Sequence, residues 1–148
     1  MFDQLSIMSN LKLLNLIDIK TVETKGKGSL SFFEANHNIP FSIKRIYYIY
    51  KVPEGIERGG HAHKKLKQLL FCPYGKIRIG LDDGKTKESV LLDSPSIGLI
   101  VEGLVWRTMN WEMEQSVLVV AASEYYDESD YIRDYEVFKR VATARSEN

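Results

Sequence analysis

His61 and His63, one residue apart in RGGHAHKKLKQLLFCPYG (58–75), are the residues of this chain best suited to chemistry. Imidazole exchanges a proton near neutrality, with an unperturbed pKa of about 6.5, and it is also the commonest side-chain metal ligand. The pair therefore opens either a metal site or an acid–base pair. The third histidine, His37 in EANHNIP, falls in a loop and is not read as a site residue. The single cysteine, Cys72, sits in the apolar run LLFC and reads as a buried thiol. It has no partner for an internal disulfide, so an oxidising compartment is not indicated.

Strands must position these side chains. SIKRIYYIY (42–50) is rich in β-branched and aromatic residues, which suit a pleated surface. LKQLLFC (66–72) and GKIRIGLDD (75–83) flank the turn signal PYG, and DDG (82–84) predicts a hairpin turn with glycine at positive φ. Further runs at 11–19, 28–35, 85–93, 97–103, 104–111 and 116–123 bring the set to about ten short strands, a sandwich or barrel pattern. If GHAH is extended, His61 and His63 face the same side, which in a small barrel is either solvent or the interior; facing water they have no evident use, and facing the interior they line a cavity. The tail DESDYIRDYEVFKRVA (127–142) predicts one or two short helices, capped by Asp127 or Ser129. Its Tyr131, Tyr135 and Phe138 read as a packing stripe, and Trp106 and Trp111 likewise as packing.

The 148 residues fit one domain over the whole chain, with residues 1–10 a flexible lead or a strand. Hydrophobic residues make up 44% and charged residues 27%, an ordinary soluble composition. Twenty Lys and Arg balance twenty Asp and Glu, so no global field attracts nucleic acid or an anionic membrane. No run approaches the roughly 18 apolar residues of a membrane span, and the N-terminus lacks a secretory signal. The expected location is the cytoplasm.

The motif GGHAHKKLKQLLFCPYG resembles the first motif of the cupin superfamily: His-x-His, four residues, an acidic ligand, six residues, Gly. In this chain Gln68 stands where metal-binding cupins have Glu, and Arg107 where their second motif supplies another His. An amide and a permanent cation make a poor metal site, because guanidinium has no lone pair to donate and repels a divalent ion. The segments PFSIKRIYYIY, RGGHAHKKLKQ, LDDG, LDSPSIGLIVEGLVWRTM and SEYYDESDYIRDYEVF together resemble the WxcM-like sugar-nucleotide 3,4-ketoisomerases of the FdtA and QdtA type, from about Leu11 to Val141. The resemblance implies an all-β cupin jelly roll and a homodimer with exchanged strands. It also implies neither metal nor organic cofactor, and dTDP-4-keto-6-deoxyglucose as substrate.

A 3,4-ketoisomerase removes the acidic C3 proton, passes through an enediolate and returns a proton at C4. The resemblance implies His61 as the acid/base on carbon and His63 as partner or proton shuttle. Arg107 and Lys27 are candidates to stabilise the enediolate. The FdtA type, with a galacto product, resembles an Arg and His pair at these positions, and the QdtA type, with a gluco product, a Tyr and Arg pair. Lys27 with Arg107 is a mixed pair that leans toward gluco. Arg45 and Arg58 are expected to clamp the diphosphate. Tyr47, at i+2 from Arg45, reaches the same cavity, and Gln68 donates to a sugar oxygen. The expected pathway role is 3-amino-3,6-dideoxy sugar biosynthesis. Three alternatives stand beside this reading: a 3,5-epimerase of the same fold, a metal-dependent oxygenase, and a non-catalytic sugar-nucleotide-binding cupin. The epimerase would need a His–carboxylate dyad, and no partnering Asp is evident in the sequence.

Overall fold

The computed structural model describes residues 13–146; the N-terminal lead expected over 1–10 lies outside the described residues. Among the described residues twelve strands are formed: β1 Asn15–Asp18, β2 Lys20–Thr24, β3 Gly28–Phe32, β4 Arg45–Ile49, β5 Glu57–His63, β6 Gln68–Tyr74, β7 Ile77–Asp82, β8 Lys87–Leu92, β9 Ile97–Val101, β10 Trp106–Trp111, β11 Val117–Ala122 and β12 Tyr131–Ile132. One α-helix, α1, spans Tyr135–Ser146.

Two five-stranded sheets face each other, ordered β1-β9-β6-β11-β4 and β12-β5-β10-β7-β8, all pairs antiparallel. This is the expected all-β jelly roll. Alternate side chains of both sheets interdigitate in one core that includes Leu70, Cys72, Ile77, Ile79, Leu99, Met109, Trp111 and Val120. Such burial is the main favourable term in folding. Cys72 is buried there, and burial pushes its thiol up to about 11. Trp111 also belongs to this core, with its indole N–H donating to the Ser116 carbonyl. The outer face of the second sheet is covered by α1, where Ala62, Trp106, Ile132, Phe138 and Ala142 pack together. The packing roles expected for both tryptophans and for Tyr135 and Phe138 hold.

The tail departs from its expected form. Only Glu128–Asp130 form a short 3-10 turn, capped by Asp127. Tyr131 is extended, and Tyr131 and Ile132 pair with His63 and Ala62 of β5. The helix starts only at Tyr135, where the Asp134 carboxylate accepts from Val137 N–H. Asp134, rather than Asp127 or Ser129, is therefore its cap. Ladder bonds to β5 outweigh the helical propensity of residues 131–134, a case of tertiary context overriding a local pattern.

β2 and β3 form a hairpin of their own, outside both sheets. Its side chains are almost all exposed, including Val22 and Leu30.

Candidate active site

β5 carries both histidines, and its two glycines decide where they point. Gly59 and Gly60 have φ of 84° and 72°, values readily adopted only by glycine. The ladder to β10 pairs His61 with Arg107 but Gly59 with Thr108, so Gly60 is an extra residue, a β-bulge. Beyond the bulge Arg58 pairs with Met109, a core residue. Strict alternation would place Arg58 and His61 on opposite faces; the bulge puts both on the inner one. A Cβ on Gly59 would lie 2.9 Å from the Arg107 carbonyl oxygen, so the close approach of β5 to β10 also needs glycine.

His61 and His63 share the inner face, as expected, with ring centroids 5.0 Å apart. Tyr131, placed opposite His63 by the β12–β5 ladder, lies against both rings at 4.3 Å from His63 and 5.2 Å from His61. The Nε2 atoms of both histidines are buried without a hydrogen-bond partner among the described residues. Burial, with the Arg107 and Arg133 cations nearby, lowers the His61 pKa to about 4. Burial likewise lowers His63, reinforced by Arg107 and His61 and opposed by Asp130. At neutral pH both imidazoles are uncharged and each retains one basic nitrogen.

Arg107 is fully buried. Its Nη1 donates to the Gln68 Oε1 and its Nη2 to the Val105 carbonyl at 2.9 Å. Gln68 in turn donates from Nε2 to the Tyr47 hydroxyl at 2.9 Å. Gln68 does face the interior, but its amide is engaged with Arg107 and Tyr47; it orients these two groups. Burial lowers the Arg107 pKa to about 10, so the guanidinium stays charged at neutral pH.

Two cavities adjoin this cluster. One, of about 290 Å³, is lined by Arg45, Tyr47, Arg58, His61, Tyr126 and Arg133 among others. The other, of about 500 Å³, is lined by residues including Arg45, His63, Lys65, Tyr126, Asp130 and Tyr131. Arg45 borders both, its guanidinium over the rings of Tyr47 (5.3 Å) and Tyr126 (5.7 Å). Arg45, Tyr47, Arg58, His61, His63, Gln68 and Arg107 are thus brought together. Lys27 is not: it sits in the β2–β3 turn, its N–H bonded to the Thr24 carbonyl, and lines neither cavity.

Four residues of the tail were not read as site residues from the sequence. Tyr126, Asp130, Tyr131 and Arg133 line the cavities, and Tyr131 stacks under the Arg133 guanidinium at 4.1 Å. The helix expected over 127–142 hid Asp130, Tyr131 and Arg133, and Tyr126 lies just before it. The expectation that no carboxylate partners the histidines is overturned: Asp130 Oδ2 lies 3.0 Å from His63 Nδ1. The missing dyad therefore no longer argues against an epimerase.

Comparisons with known proteins separate these readings. Residues 10–143 match the family model described as FdtA: WxcM-like, C-terminal. A TDP-4-oxo-6-deoxy-alpha-D-glucose-3,4-oxoisomerase from Aneurinibacillus thermoaerophilus is 51% identical over 114 residues, 77% of this chain and 82% of that protein. The crystal structure of QdtA, a sugar 3,4-ketoisomerase from Thermoanaerobacterium thermosaccharolyticum in complex with TDP, has a TM-score of 0.87 and 45% identity, covering 91% of this chain and 98% of that one. A histidine-to-asparagine mutant of the same enzyme has been solved with TDP-4-keto-6-deoxyglucose. The rmlC epimerase of Mycobacterium tuberculosis shares the fold, with a TM-score of 0.71, but only 14% identity over 82% of this chain and 68% of that one.

Proposed function

The chain belongs to the FdtA family (WxcM-like, C-terminal), and on that premise we propose that it moves the carbonyl of dTDP-4-keto-6-deoxyglucose from C4 to C3. It is an isomerase, a TDP-sugar 3,4-ketoisomerase like its relatives. The supporting observation within the molecule is the pair of neutral histidines, both Nε2 atoms unpartnered, beside a buried guanidinium.

His61 takes the C3 proton; the C–H electron pair forms the C3–C4 double bond and the carbonyl pair moves to O4. His63 accepts the O3 proton and returns it to O4. The His61 imidazolium exchanges its proton with solvent and then delivers one to C4 as the C3 carbonyl forms. No net proton is gained or lost. Arg107 stabilises the negative charge that develops on the enediolate, a preorganised charge held dry by burial. Arg45 and Arg58, with Tyr47 beside them, hold the nucleotide diphosphate, which suits the planar guanidinium fork. The donors around the histidines, Gln68 and Arg107, suit this chemistry better than a metal ion.

The product is the gluco isomer, a reading supported by Arg107, and it supplies 3-amino-3,6-dideoxy sugar biosynthesis in the cytoplasm. Among the described residues no helix is long and apolar enough to cross a membrane. The active form is a homodimer with exchanged strands. The β2–β3 hairpin has exposed Val22 and Leu30, and edge strand β4 exposes Ile46 and Tyr48. An unpaired apolar edge of this kind favours strand addition from a second copy. Lys27, at the hairpin turn, then belongs to the partner's site.

Incubation with dTDP-4-keto-6-deoxyglucose in deuterated water tests the reading. A 3-keto product with deuterium at C4 is expected. Exchange with inversion at C3 and C5 and an unmoved carbonyl would make the protein an epimerase, and binding without exchange a non-catalytic module.

A further inference from the structure

We propose that Asp130 is a positioning residue that fixes the tautomer of His63, making Nε2 the proton-accepting atom. This rests on the reading of His63 as the oxygen-to-oxygen shuttle. The Asp130 carboxylate lies 3.0 Å from His63 Nδ1. An ionised carboxylate only accepts hydrogen bonds, so Nδ1 must carry the hydrogen. Neutral imidazole has one N–H, and Nε2 is left with a lone pair. That Nε2 is the buried, unpartnered atom, on a residue that lines the larger cavity.

The carboxylate is itself held in place. Oδ1 accepts from Lys65 N–H at 2.8 Å and Oδ2 from Leu66 N–H at 3.3 Å. The Asp130 carbonyl accepts from Lys64 N–H at 3.0 Å. The chain just after His63 therefore grips the residue that orients His63. Among the described residues no carboxylate is bonded to His61; its ring interacts with the backbone of Gly59. The two histidines are thus differentiated: a proton arriving on His63 Nε2 gives an imidazolium facing Asp130, which opposes the effect of burial. This suits a group that must accept a hydroxyl proton and release it to the neighbouring oxygen.

The test uses the full chain with ¹⁵N-labelled histidine and long-range ¹H–¹⁵N correlation spectra at neutral pH. The wild-type protein should show His63 protonated at Nδ1 and bare at Nε2. In Asp130→Asn, the carboxamide keeps an acceptor for the Lys65 N–H and can turn a donor toward Nδ1, so the tautomer should invert. Turnover should fall roughly 100-fold, the lower range for loss of a general acid–base, with KM within about threefold and C3 exchange by His61 retained. A wild-type His63 protonated at Nε2 overturns the proposal whether or not any variant folds. So does an Asp130→Asn protein with the wild-type tautomer and undiminished turnover. The wild-type spectrum is read without substrate, so failure of the ketoisomerase assignment would appear separately, as absent turnover in the unaltered enzyme.

Discussion

Arg107 stands directly opposite His61 in the β10–β5 ladder, so a buried guanidinium and an imidazole share the inner face of one sheet. Arg107 also reaches across the sandwich to Gln68 on β6, and Gln68 to Tyr47 on β4. The cation is therefore fixed from both sheets, and it helps hold His61 neutral.

Replacing that cation should change rate and pH profile together. Arg107→Met should lower kcat about 10²–10³-fold, the usual loss when one preorganised charge-stabilising group is removed. Arg107 depresses the His61 pKa, so its removal should move the acid limb of the profile to higher pH. A pH–rate profile of the variant checks both; an unmoved limb would show that burial and Arg133 set His61 without Arg107.

The division of labour between the histidines is read by isotope exchange. His61→Asn should abolish C3 exchange into deuterated water. His63→Asn should retain exchange while losing carbonyl transfer by about 10²–10⁴-fold. The opposite pattern would reverse the two roles.

Stability should depend on pH through the same residues. His61 titrates at about 4 in the folded protein and near 6.5 when unfolded. Between those values the unfolded chain binds protons that the folded chain does not. Stability is therefore fully present above about pH 6.5 and lost as pH falls toward 4, and depressed His63 adds in the same direction. Thermal unfolding at pH 7.5, 6 and 5 should show Tm falling at each step. His61→Asn should show a shallower fall.

Gly59 tests the bulge. Gly59→Ala places a Cβ 2.9 Å from the Arg107 carbonyl at a φ of 84°. The strain should cost about 1–3 kcal/mol, visible as a Tm lower by several degrees. Turnover should fall as well, because relaxing the bulge turns His61 away from Arg107.

Mixing two impaired variants tests the exchanged hairpin. Lys27→Ala should weaken the enzyme, and His61→Asn should inactivate it. If Lys27 serves the partner's site, a heterodimer of the two contains one intact site, and refolding a mixture should recover activity. No recovery would mean that Lys27 does not serve the partner's site. Leu30→Glu should shift the protein to a monomer in light scattering.

Much of this was legible in the residues. The strand runs are long on β-branched and aromatic residues, and their boundaries follow glycine and turn signals, so eight of the twelve described strands fall inside the expected segments and β6 overlaps one. His61 and His63 share a face because strand side chains repeat every two residues. Arg45 with Tyr47 follows by the same rule. The exceptions are β2, which lies between two expected runs, β5, where GlyGly introduces a bulge that period-two reasoning does not foresee, and β12, two residues recruited into a sheet by a strand 68 positions earlier.

Residue types alone determined the chemistry on offer: two imidazoles near neutrality, arginines for phosphate, and Gln68 and Arg107 where a metal would want ligands. Which groups meet was a tertiary decision. Asp130 is 67 residues from His63, and nothing local in DESDYIRDY marks it as a partner. Its carboxylate reaches the imidazole because β12 pairs with β5 and the turn after His63 grips its backbone. The alternation of a strand is local and can be read along the chain; a non-local ladder forms only when the whole sandwich closes.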